Sequence, residues 1–244
     1  MRRPTGNSLS GAWFESGKPK AGIGPKLYCL WAALAICLAV SLAGLTPESV
    51  TRILVIGFLF AQVALRSTLV KALPALAPRT RFIVLGTVLA AVVEGFHMIS
   101  MPVFLSLRIG RGTSLTQGLT RYALDLLFTL PAYLAIFSVI WYFIDRYQYS
   151  LWQYVVVIGL AQTLGDGGFL FFVNAPAMAL FLPYPMTNYH AINVIPFLAV
   201  RDRLKPERPA SPRAYLVIPA VIGTYLVCGA IIKLLGRWFG LEAL

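Results

Sequence analysis

Three carboxylates and both histidines of this 244-residue chain stand inside long uncharged runs: Glu94, Asp125, Asp166, His97 and His190. An ionisable group in a bilayer core costs at least about 2.5 kcal/mol on insertion scales, so this concentration calls for partners or a task. Glu94 and His97 are spaced i, i+3 and share one helix face. Such a Glu-x-x-His pair serves as a ligand set in carboxylate metal sites, although di-iron bundles use it twice and it occurs once here. His97, His190, Asp166 and Glu94 together are chemically suited to one zinc or iron ion. The same groups could exchange protons on a solute path, or lock three helices together as a hydrogen-bonded ion cluster.

The string Gly165-Asp166-Gly167-Gly168 sets glycines on both sides of the acid. They permit close backbone approach or a helix break whose freed amides could hold an anion. The string is similar in part to that of intramembrane aspartyl proteases, which pair Gly-x-Gly-Asp with a Tyr-Asp on the preceding helix. This chain departs from that pattern at Thr163, where the first glycine would stand, and at Leu124, which precedes Asp125 in place of tyrosine. The resemblance implies a working pair of Asp125 and Asp166. A further polar run from Asn174 to Phe197 carries Asn188, His190 and Asn193 among Pro176, Pro183, Pro185 and Pro196. In a span broken by proline, such groups could line a small-molecule cavity.

The elements that must position these groups are membrane helices. Hydrophobic residues make up 58% and charged residues 12%, with a mean hydropathy of +0.75, against about 45–50% and 25% in soluble domains. The net charge of +12 comes from short basic clusters between apolar runs, which reads as loop charge fixing membrane orientation and not as a nucleic-acid surface. Apolar runs predict about seven spans in an all-α polytopic membrane bundle, six being the alternative: Leu27–Leu45, Val50–Val70, Phe82–Leu107, Tyr122–Ile144, Leu151–Phe172, Met178–Val200 and Ala214–Leu235. The sixth is broken by proline. Residues 1–26 read as a basic, disordered tail, and 27–244 as one transmembrane domain. The tail and the first apolar run are both too long for a typical secretory signal, so the run reads as an anchored helix. Cys29, Cys37 and Cys228 lie in apolar runs with no metal or disulfide spacing.

Counted from the inner boundary at 1.5 Å per residue, Glu94 lies about 20 Å deep and His97, Asp125 and Asp166 about 24 Å, with His190 at about 16 Å. Four groups from three helices therefore share one layer in the outer half. With the N-terminus inside, 14 Lys and Arg fall on the inner side and six, Arg52 among them, on the outer, leaving Arg66 unassigned. This bias predicts an inner-membrane protein of bacterial type with a cytoplasmic N-terminus. The leading functional expectation is binding or passage of a small solute, ion or proton at Glu94, His97, Asp125 and Asp166, with Asn174, Asn188, His190 and Asn193 lining the path. A membrane-embedded enzyme acting on a lipid or isoprenoid by metal or acid/base chemistry is the second, with His97, His190 and Asp166 as zinc or iron ligands. The third is a structural subunit that docks protein partners through the basic tail.

Overall fold

The computed structural model describes residues 22–71, 76–204 and 211–241. Among them the chain is helical and carries no strand. The helices are α1 (Ile23–Ala43), α2 (Pro47–Ala64), α3 (Arg66–Lys71), α4 (Pro78–His97), α5 (Leu115–Arg146), α6 (Leu151–Thr163), α7 (Phe169–Asn174), α8 (Pro183–Val200) and α9 (Val217–Trp238). A π-helical turn, Leu164–Gly168, joins α6 to α7, and 3-10 turns at Pro176–Phe181 and Pro212–Leu216 lead into α8 and α9. Six segments are long and apolar enough to cross a membrane: α1, α2, α4, α5, Leu151–Asn174 and Pro212–Trp238. The protein is a multi-pass membrane protein built as an all-α bundle.

Helix α8 is the seventh long helix, and its polar character follows from its place. It packs against α1, α2, α3, α4 and α6, so its Thr187, His190 and Asn193 are buried against protein and need no apolar face for lipid. Helix α1 shows the opposite pattern. Only Ala35 is buried in it, while Leu27, Leu30, Leu34, Leu38 and Leu42 are exposed, as suits a helix that borders hydrocarbon over most of its circumference. The face where α1 begins is called the near face below, and the face where it ends the far face.

Several boundaries differ from those read in the sequence, each for a local reason. Helix α1 starts at Ile23, so residues 23–26 form its first turn; the rest of the expected tail, residues 1–21, lies outside the described residues. The second span divides at Leu65 into α2 and α3. Helix α4 ends at His97, ten residues before the expected end, and the chain turns through Pro102 into a 3-10 turn at Leu105–Leu107. This loop seals the far end: Phe104 and Leu107 pack with Met98 and Phe128 and against Ile232 and Leu235 of α9. Helix α5 starts seven residues early because Ser114 and Gln117 form a reciprocal capping box. In the sixth span Pro183 and Pro185 fall in the first turn of α8, where proline is tolerated, and the interruption precedes them as a 3-10 turn. Pro196 lies inside the helix.

Candidate functional site: a polar cluster in the far half

The cluster is assembled around a break in a helix. Asp166 (φ −82°, ψ 44°) and Gly167 (φ 84°) leave helical geometry inside the Leu164–Gly168 turn. The positive φ at Gly167 is a conformation that L side chains rarely adopt, so glycine is required there. Gly165 serves another need. A Cβ at this position would stand 2.7 Å from the Tyr225 ring, so its absence lets α9 approach the break. Asp166 is 15 residues beyond the start of α6, about 22 Å from the near face. Asp166 is exposed, as are Gly167, Phe169 and Leu170 after it, so the break has open surface along one side.

Tyrosines hold the two deep acids. Tyr189 on α8 donates to Asp166 Oδ2, and Tyr133 on α5 donates to Glu94 Oε1. Glu94 lies within electrostatic reach of both Asp125 and Asp166, and Tyr225 of both Asp166 and Glu94. Helices α4, α5, α8 and α9 and the π turn thus converge on one polar volume. His97 joins it from the last turn of α4, within reach of Arg52 and approached by Asn188. Of the expected layer of Glu94, His97, Asp125 and Asp166, the two aspartates fall within electrostatic reach of Glu94, and His97 faces Arg52 and Asn188.

The other candidates have partners of their own. Asp125 is fully buried, and its Oδ1 accepts from the Val103 backbone N–H at 2.8 Å. It pins the far-side loop, and it does not form a dyad with Asp166. His190 turns toward α1, where the Tyr28 hydroxyl meets its Nε2 at 2.6 Å. The close fit requires Gly159 on α6, since a Cβ there would come within 2.6 Å of the His190 ring. Asn174 is exposed at the end of α7 and bonds the Leu170 carbonyl of its own helix at 2.9 Å. The proposed ligand set of His97, His190 and Asp166 is not brought together. Among the described residues no three His, Cys, Asp or Glu side chains are grouped to hold a metal ion.

Compared with known proteins, the chain matches no family model, no curated protein and no solved structure. The site is therefore read from its own geometry.

Asn193 belongs to a hydrogen-bonded track beneath the cluster. Its side-chain nitrogen donates to Gln162 Oε1 and to the Tyr189 carbonyl at 2.7 Å. Its oxygen accepts from Tyr154 at 3.2 Å, and Gln162 Nε2 reaches the Tyr225 hydroxyl at 3.4 Å. The track ends toward the near face at Tyr154, whose ring stacks on Phe197 with centroids 3.9 Å apart and planes 7° apart. Phe197 also lines a cavity of about 500 Å³ on the near side, together with Tyr147, Tyr149, Gln153 and Arg201. The stacked pair lies between that cavity and the track.

Sequence reasoning missed Arg52, Tyr133, Gln162, Tyr189 and Tyr225. Arg52 was counted as an external loop charge, but it is only 6% exposed, one and a half turns into α2. Arg81, counted as an inner loop charge, is 3% exposed and directs Nη1 toward the Ala199 carbonyl at 3.5 Å. For Arg52 a signal was available: it follows Thr46 and Pro47, a cap and first-turn pair that places it inside a helix. Nothing comparable marks the tyrosines, which read as interfacial or core aromatics.

Proposed function

We propose that this membrane protein binds a small polar solute or a proton at the Asp166–Glu94–His97 cluster and passes it across the bundle. The observation that carries the reading is Asp166 at a helix break, held by Tyr189 and within electrostatic reach of Glu94. Broken helices near mid-membrane are where transport proteins place substrate and ion sites, because unwound backbone is tolerated there only when it lines a cavity. Two carboxyls that share a low-dielectric volume, each with a tyrosine donor, form a site where protonation state and ligand binding are coupled. On the near side the Tyr154–Phe197 stack closes the way, so passage requires that pair to move.

The near face is read as the cytoplasmic face of a bacterial-type inner membrane. Removing the buried Arg52 and Arg81 from the loop count leaves the basic excess on the near side. Protein partners through the basic N-terminal residues are part of the same proposal.

The test is reconstitution in vesicles with a proton-sensitive dye inside. Asp166→Asn and Glu94→Gln should fold with near-wild-type melting behaviour and lower the rate of proton or solute movement by about 10²-fold. If both variants melt much lower than wild type, and wild-type vesicles move neither protons nor polar solutes, the cluster is a structural lock and the reading is wrong. For orientation, reporter fusions after Arg146 and Arg203 should report the cytoplasm, and one after Arg111 the opposite side.

A further inference from the structure

The glycines on these helices are of two kinds. At Gly86, Gly159, Gly165 and Gly236 a Cβ would stand 2.3 to 2.7 Å from a neighbouring ring, so close packing demands glycine. Gly95, near the end of α4, and Gly118, in the first turn of α5, are different: a Cβ there would meet Tyr122 at 3.6 Å and Ile109 at 3.5 Å, which is ordinary contact. Glycine is a poor helix former, and packing does not require it at these two positions. What they share is a groove of about 430 Å³ between the end of α4 and the start of α5, which both line together with Ile109, Leu115, Leu119 and Tyr122. Tyr122 ties the two helices here, its hydroxyl donating to the Ala91 carbonyl at 2.6 Å. Leu115 and Leu119 are exposed, so the groove opens on the outside of the bundle.

The groove is largely apolar, and its rim is basic. Residues 99–124 hold Arg108, Arg111 and Arg121 and no acid. Side chains lean toward the N-terminus of their helix, and Arg121 does so: its Nη1 donates to the Arg108 carbonyl at 2.7 Å, one residue from Ile109 in the groove wall. The acids next in sequence, Glu94 and Asp125, are engaged by Tyr133 and by the Val103 N–H. Helix α5 has 32 residues, about 48 Å against a hydrocarbon core of about 30 Å, so its first turns reach the layer where acyl chains give way to headgroups. We infer that this groove seats one acyl chain of an anionic phospholipid of the far leaflet, whose phosphate lies against Arg121 while Arg108 and Arg111 add positive charge around it. Guanidinium groups match phosphate oxygens in pairs, and a zwitterionic headgroup would bring a cation to the same rim. A second copy of the chain docked by the same face would set the basic rim against its own likeness, which charge disfavours.

Calorimetric titration of the protein in neutral detergent with short-chain phosphatidylglycerol, short-chain phosphatidylcholine and glycerol phosphate tests this. Phosphatidylglycerol should bind more tightly than phosphatidylcholine, by about fivefold for each arginine its headgroup meets, and glycerol phosphate, which has no chain, should bind least. Gly118→Leu places a side chain in the groove and should weaken both lipids by about tenfold or more, as expected if even two methylenes leave it. Should Gly118→Leu fail to fold, Leu119→Gln puts a polar group in the wall and should weaken both lipids in the same way. Arg121→Gln should cost phosphatidylglycerol about fivefold and leave phosphatidylcholine unchanged, and Arg111→Gln, at an exposed position, should act in the same direction. Equal affinity for the two lipids overturns the inference, as does glycerol phosphate bound as tightly as phosphatidylglycerol, which would make the rim a site for free phosphate. Lipid affinity unchanged in folded Gly118→Leu also overturns it, and if a dimer then becomes a monomer the groove belongs to a second copy.

Discussion

The far and near halves of the bundle handle polarity in opposite ways. In the far half stand the ionisable groups Arg52, Glu94, His97, Asp125 and Asp166, with Glu94 and Asp166 each engaged by a tyrosine and Arg52 Nε and Asp125 Oδ2 left without partners. In the near half the polar groups run in an ordered track of Tyr154, Asn193 and Gln162, embedded among buried Ile140, Ile144, Ile158 and Phe197. Arg81 is the buried charge on that side, directed at the end of α8 by Nη1 while its Nε and Nη2 lack partners. The halves differ in the kind of polar group they gather and not in whether every group is paired: the near half holds a hydrogen-bonded amide and tyrosine network, which rigidifies, and the far half holds the ionisable groups. Substitutions should therefore separate: near-half changes act on stability, far-half changes on binding.

The largest effect is expected for Phe197→Ala. The ring is 1% exposed and stacked on Tyr154, and truncating such a residue costs about 3–5 kcal/mol through lost contacts and the cavity left behind. Because the stack also separates the near cavity from the track, vesicles carrying this variant should leak protons independently of Asp166. Reversible unfolding in mixed micelles measures the first effect and the dye assay the second. A variant as stable as wild type would remove the contrast between the halves.

Next comes Gly159→Ala. Its Cβ would meet the His190 ring at 2.6 Å, and the ring cannot retreat without leaving Tyr28. Overpacking of this kind costs about 1–3 kcal/mol. Helix α1 should loosen first, since Tyr28 and Trp31, which donates to the Leu180 carbonyl at 2.7 Å, are its polar anchors. Faster proteolysis or hydrogen exchange confined to α1 is the expected result; uniform destabilisation would show that α1 is not held there.

Asp125 tests whether a far-half acid can be purely structural. Asp125→Asn keeps an oxygen for the Val103 N–H and should cost less than about 1 kcal/mol, whereas Asp125→Ala leaves that donor unsatisfied and should cost about 1–3 kcal/mol. Neither should alter proton movement beyond its effect on folding. A loss of movement in Asp125→Asn at normal stability would bring Asp125 back into the functional cluster.

These contrasts were only partly legible in the sequence. Apolar runs located every span, and depth arithmetic brought Glu94, His97, Asp125 and Asp166 to one layer, because rise per residue is fixed in a helix whatever its neighbours; it did not show that Asp125 pins the far-side loop. Rotation about the helix axis is not fixed in that way. His190 follows Tyr189 directly, yet one faces α1 and the other the π turn, and only the packing of α8 among five neighbours decides which. Arg52 was readable only through the Thr46-Pro47 cap before it. A basic residue near a span end looks like loop charge unless the cap that precedes it is recognised. The tyrosine donors to Glu94 and Asp166 come from α5 and α8, and no local spacing connects them to their acids.

The smallest effect is expected for Tyr154→Phe, and it decides what the track is for. The substitution preserves the stack on Phe197 and removes one hydroxyl, so its cost should be about 0.5–1.5 kcal/mol, with the Asn193 oxygen left lacking a donor. The next two members of the track are amides, which bind protons far too weakly to relay them as carboxylates and imidazoles do. A track of this composition sets the register of α6 against α8 and does not conduct. Proton movement in Tyr154→Phe vesicles should therefore match wild type, in contrast to Asp166→Asn, while the unfolding midpoint falls slightly. If movement instead drops as far as in Asp166→Asn, with the fold intact, the near half is part of the path and the division between a holding half and a binding half fails.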